Sequence, residues 1–177
     1  MTRQLLLLIL LLVPASSQAV NLDTADAKDD GTSATTHTYT SFTVTAHTNG
    51  LLLVGASVNS DTAGENTGCT WGGVALTALD NQRSASSTFS STCVWYKRAP
   101  AAATANIVCS TNNATRMRMT TVSLYDADQA TTFRDTDKNA TASSHTSSLT
   151  LTSVSGDWLI DFIDVRVASG AATMLET

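Results

Sequence analysis

Phe42, Val44 and Ala46 alternate with Thr43, Thr45 and His47, and Leu149 and Leu151 alternate with Thr150 and Thr152. A period of two puts successive side chains on opposite faces of an extended backbone, so each such segment has one face to bury and one to wet. The same reading predicts strands from Phe89 to Lys97, Thr104 to Ser110, Arg116 to Tyr125, Ser148 to Ser153 and Asp157 to Val167. Leu51-Leu52-Leu53-Val54 is continuously apolar, as expected of a central strand covered on both sides. Turn residues separate these runs. Asn49-Gly50 closes one, and Gly72-Gly73 sits between Cys69-Thr70-Trp71 and Val74-Ala75-Leu76 as a two-residue hairpin turn. The last two strands are expected to form a hairpin through Val154-Ser155-Gly156. No segment beyond the N-terminal apolar run shows apolar side chains at helical spacing. The predicted class is all-β: an antiparallel two-sheet β-sandwich, jelly-roll-like, with its closing C-terminal strands missing.

The N-terminus obeys a different rule. One basic residue, Arg3, precedes Leu5 to Val13, which carry no polar side chain, and Pro14 ends the run. Ser17-Gln18-Ala19 then offers small residues at the two positions a signal peptidase inspects. The apolar run is shorter than the roughly 20 residues a membrane-spanning helix needs. Residues 1–19 therefore read as a secretory signal peptide and the remainder as an exported protein with no transmembrane segment. Residues 20–37, with Asp23, Asp26, Asp29 and Asp30 around Lys28, read as a flexible polar leader, and 38–177 as a single β-sandwich domain, truncated at its C-terminal side.

A net charge of −5 with no cluster of Lys and Arg argues against nucleic acid, whose phosphates need such a cluster. Only 14% of residues are charged, which leaves Thr and Ser hydroxyls to wet the surface. Cys69, Cys93 and Cys109 in an oxidising compartment suggest one disulfide and one leftover thiol. Cys93 and Cys109 are equidistant from Ala101, so a hairpin centred there would set them opposite each other, close enough to bridge. Pairing through Cys69, or three thiols, are the alternatives.

Several segments together resemble a recurrent, poorly characterised β-sandwich module of secreted and surface bacterial proteins and phage virion proteins. They are Leu51 to Val58, Thr70 to Thr77, Val94-Trp95 with Ala99-Pro100, and Ser123 to Gln129. The resemblance covers roughly residues 40–167 and implies fold and extracellular setting, not chemistry. The chain departs from the module at its cysteines and in lacking the C-terminal strands.

Candidate chemistry is sparse. Asp126, Asp128, Asp135 and Asp137 are oxygen ligands of the kind calcium takes in loops, although their spacing matches no calcium-loop pattern. Trp95 and Tyr96 are adjacent and must face opposite sides of a strand, which makes them the candidate sugar-stacking pair. Asn113 and Asn139 begin N-glycosylation triplets and are expected on exposed loops. His37, His47 and His145 have no partner at metal-ligand spacing and are expected to be exposed, and no nucleophile elbow accompanies them. The expectation is a secreted, non-catalytic module with a binding or adhesive role, directed at a glycan or another surface ligand. The alternatives are a structural subunit of a filament, surface layer or virion, self-assembled by strand exchange with residues 20–36 as donor, and an accessory fragment of a larger secreted hydrolase.

Overall fold

The computed structural model describes residues 4–12, 19–60, 66–83, 89–141 and 149–166. In chain order they form β1 (Gln4–Leu12), β2 (Asn21–Val44), β3 (Leu51–Ser60), β4 (Asn66–Trp71), β5 (Val74–Ala75), β6 (Thr77–Arg83), β7 (Phe89–Arg98), β8 (Ala103–Tyr125), β9 (Phe133–Thr141) and β10 (Trp158–Arg166). Every strand pair is antiparallel. Seven strands make one sheet in the order β5-β4-β8-β3-β7-β6, with β2 on β8, and three make a second sheet, β10-β1-β9. The larger sheet curls into a nearly closed, barrel-like wall.

β8 is the axis of that wall. Its 23 residues join what alternation reads as two strands, 104–110 and 116–125. One edge carries β2 along its length, while the other carries β4 at Ile107–Thr111 and β3 at Arg116–Leu124. The β2 register shifts between Asp30 and Thr36, and at this irregularity the long ribbon changes pairing. Residues 20–37 are therefore not a loose leader: from Asn21 onward they are the first part of a 24-residue strand. Local composition missed this because the ladder partner lies some hundred residues away, as in Asn21 opposite Tyr125.

Period-two patterning then divides the apolar side chains between two cores. Leu52, Val54, Ala56 and Val58 of β3 point inward with Trp95, Ile107, Met117 and Met119 into a core enclosed by the barrel-like sheet. Leu51 and Leu53 point outward with Val94 and Leu124, and Phe162 of β10 covers them. β3 is thus buried on both faces, as its unbroken apolar run predicts. Gly55 has a specific reason to lack a side chain: a Cβ there would lie 2.2 Å from Cδ1 of Phe162, whose ring occupies that space.

The Gly72-Gly73 turn forms as predicted, with φ of 57° and 78° and Trp71 opposite Val74. The expected hairpin through Ala101 does not form. β3 lies between β7 and β8, so Cys93 stands opposite Ala56, and Cys109 opposite Cys69. The disulfide is accordingly Cys69–Cys109, with Cα atoms 4.1 Å apart, and not Cys93–Cys109. Cys93 stays a buried thiol in the same core.

The predicted strand at 148–153 is also corrected. Residues 149–154 are irregular, and Ser148 lies outside the described residues. Thr150 and Thr152 donate their backbone N–H groups to Asp137 and Asp135 instead of to a strand, and β10 takes β1 rather than a hairpin neighbour as its partner.

Candidate functional site

Trp95 and Tyr96 do face opposite sides of β7, but neither forms an outward sugar platform. Trp95 is 8% exposed in the inner core. Tyr96 packs edge-on against Phe133, with ring centroids 4.9 Å apart, on the face that the three-stranded sheet covers. Arg98 completes this contact, its guanidinium 5.5 Å from the Tyr96 ring centre and its Nε donating to Thr132 Oγ1 at 2.7 Å. The second layer of structure, unseen in local sequence, is what turns the Tyr96 face inward.

An aromatic pair with one exposed member lies elsewhere, where β8 ends. His47, exposed in the loop after β2, stacks on half-buried Tyr125 with centroids 4.1 Å apart and planes 15° from parallel. Asp23 anchors the imidazole: its Oδ1 lies 3.3 Å from His47 Nε2, and its Oδ2 accepts from Ser123 Oγ and from the Thr45 N–H, each at 3.0 Å. Burial pushes the Asp23 carboxyl up, but the hydrogen bonds from Thr45, Ser123 and His47 outweigh it and hold the group below its ordinary value. Sequence reasoning missed this cluster, since Asp23 and Ser123 are 100 positions apart and only the β2–β8 ladder brings them together.

Ser, His and Asp here do not make a nucleophile relay. A hydrolytic triad sets the imidazole between hydroxyl and carboxylate so that it can take the hydroxyl proton. In this cluster the carboxylate is the central member and takes both hydrogen bonds. It clamps β2, β8 and the Thr45–His47 loop together.

The predicted calcium ligands are likewise engaged within the fold. Asp128 Oδ1 accepts the backbone N–H groups of Ala130 at 2.8 Å and Thr131 at 3.1 Å, and these hold its carboxyl below the usual range. Asp135 Oδ2 accepts from Thr152 N at 2.8 Å, Asp137 Oδ2 from Thr150 N at 3.3 Å, and Asp126 Oδ2 from Asn21 Nδ2 at 3.4 Å. Among the described residues, no three His, Cys, Asp or Glu side chains converge as a metal-binding set. Asn113 is exposed and Asn139 half-buried, and both lie on strands, β8 and β9, rather than on loops.

His37 corrects the expectation of exposed histidines most sharply. It is fully buried, with Nδ1 3.0 Å from Asp30 Oδ2 and Nε2 3.0 Å from the Ala34 carbonyl, and it spans the irregularity in β2. The Thr32 N–H, followed by His37, holds the Asp30 carboxyl below its ordinary value. His145 lies outside the described residues. Among the described residues no helix is long and apolar enough to cross a membrane.

Comparison with protein-family models, curated proteins and solved structures finds no match. The all-β, barrel- or sandwich-like fold therefore stands on the strand pattern and the structure themselves, with no homology tying it to a jelly-roll family of bacterial or phage proteins.

Proposed function

We propose that this chain is an exported, non-catalytic β module of jelly-roll-like type with a binding or adhesive role towards glycans. The observation that supports it is how the polar groups are used. Asp23, Asp30, Asp128, Asp135, Asp137 and Asp157 each accept hydrogen bonds from backbone amides or side chains of the fold itself. Such carboxylates brace strands and turns; they are not poised as a general acid and base.

Ligand contact falls to the Tyr125–His47 pair and the hydroxyls around it, because Trp95 is needed in the core. Sugar rings stack on aromatic faces, and threonine hydroxyls supply hydrogen bonds without a charge to desolvate. Export follows from the N-terminal run, with cleavage after Ala19. The test is a glycan array probed with exported protein. Binding is expected for the native chain and expected to be lost on Tyr125→Ala with near-UV circular dichroism unchanged. Absence of binding by the native chain, or binding indifferent to Tyr125→Ala, sinks the reading.

A second reading, a structural subunit assembled by strand exchange, is favoured by a separate observation. Among the described residues, the strand ladder that joins β9 to β10 runs through the N-terminal apolar strand, the segment that cleavage after Ala19 removes. The donor expected from sequence, residues 20–36, is paired from Asn21 onward with β8 of its own chain.

A further inference from the structure

We propose that the gap between β9 and β10, filled by Gln4–Leu12, is a strand-acceptor site that takes an apolar strand from a partner chain once the leader has been removed. The inference deepens the strand-exchange reading and rests on its premise of leader cleavage.

The geometry is that of a slot. β1 pairs with β10 through nine residues, Gln4 opposite Arg166 to Leu12 opposite Trp158, and with β9 from Leu5 opposite Thr141 to Leu12 opposite Phe133. β9 and β10 are not paired to each other. Both run antiparallel to β1 and hence parallel to one another, one strand apart on either side, or roughly 10 Å between them. Without an occupant, both inner edges present unpaired N–H and C=O groups. Apolar side chains also line one wall of the slot: on β10, Phe162 is buried in the outer core, and Trp158 and Ile160 pack against that core.

The occupant's chemistry follows from the strand now in place. Leu5 to Leu12 is apolar at every position, so the site accepts an extended segment of about nine residues with no charge and no proline, since proline forfeits a ladder hydrogen bond. We place the donor strand in a partner chain. Among the described residues beyond β1, the apolar strands already have their places: β3 lies between β7 and β8 and is buried on both faces, and β7 lies between β3 and β6.

Hydrogen exchange on two proteins tests this, the full chain and a chain beginning at Val20, each with and without a synthetic peptide of Gln4–Leu12 carrying lysines at both ends for solubility. In the Val20 chain, protection of β9 and β10 amides is expected to fall by about tenfold or more while β3, β7 and β8 stay protected, and the peptide restores it. The same peptide with proline in place of its central leucine does not. Equal protection of β9 and β10 in the two proteins without peptide overturns the proposal, as does failure of the peptide to restore it. Should the shortened chain not fold, Leu8→Pro in the full chain gives the same readout: selective loss at β9 and β10 supports the slot, and unchanged protection overturns it. N-terminal sequencing of exported protein separates the two failures. A start at Met1 sinks the leader premise and the slot with it, whereas a start at Val20 with β9 and β10 fully protected sinks the slot alone.

Discussion

The two cores are built from the same strands but closed in different ways. The inner core draws every member from the seven-stranded sheet and its turns and is stitched by Cys69–Cys109 across β4 and β8. The outer core sits between that sheet and three strands whose centre is the N-terminal segment, with Phe162 of β10 resting on Gly55 and Phe133 of β9 on Tyr96. The difference sets a β wall that pairs most of its own strands beside a second layer whose two ladders both run through one central strand. A sheet that curls on itself pairs most of its own edges, whereas a three-stranded sheet keeps both outer edges open and loses both ladders if its middle strand leaves.

The sharpest way to break the comparison is at paired positions on β3. Leu52→Ala, facing inward, is expected to cost about 2–5 kcal/mol and lower the urea midpoint of the whole transition. Leu53→Ala, facing outward, should cost a comparable amount but first release β9 and β10, seen as early loss of their amide protection. Identical exchange patterns for the two variants would erase the distinction between the cores.

Next in size is the disulfide. Replacing both Cys69 and Cys109 by Ala is expected to remove about 2–4 kcal/mol, because the bridge restricts the unfolded chain. Cys93→Ala should leave the bridge mass unchanged in non-reducing peptide mapping. A new Cys93 linkage in native protein would overturn the assignment.

Gly55→Ala follows, at about 1–3 kcal/mol, because the added Cβ meets the Phe162 ring. Phe162→Ala in the same chain should relieve part of that loss, so the double-mutant cycle reads the contact directly. Additive effects would show that Phe162 does not dock there.

The smallest effects are in pH, and their signs differ between the two regions. Asp23 and Asp30 brace β2 with carboxyls held below the ordinary aspartate value of 3.8, so their stabilisation is whole above that value and is lost as pH falls through the folded one. Acid should therefore loosen β2 first. Asp161 on β10 moves the other way, pushed up to about 7 by desolvation, so its contribution is present below about pH 4 and declines as pH rises through 7. Its side chain is nonetheless exposed, and solvent screening keeps this second effect modest. Amide exchange at pH 3, 5 and 8 checks both signs.

Much of the strand content was readable in residues 38–125 because alternation is a local property. Leu51–Val54 declared a strand with two buried faces, Gly72-Gly73 declared its turn, and adjacency alone required Trp95 and Tyr96 to oppose each other. The disulfide was only half legible: the sequence predicts one bridge, but its partners depend on which strand lies beside β8. Insertion of β3 between β7 and β8 replaced Cys93 with Cys69, and no local pattern encodes that insertion. The clamp at Asp23 and the buried His37 were equally hidden, since both depend on β2 pairing with a strand far along the chain.

By itself, then, the order of residues determined an extended, layered, hydroxyl-wetted β chain with an apolar N-terminal run, because backbone periodicity and turn chemistry act over a few residues. Only the tertiary structure decided strand order, the bridge, the curl of the large sheet and the strand between β9 and β10. Those outcomes are set by which edges and faces find each other across long loops, a competition among distant segments in which each local pattern is compatible with several partners.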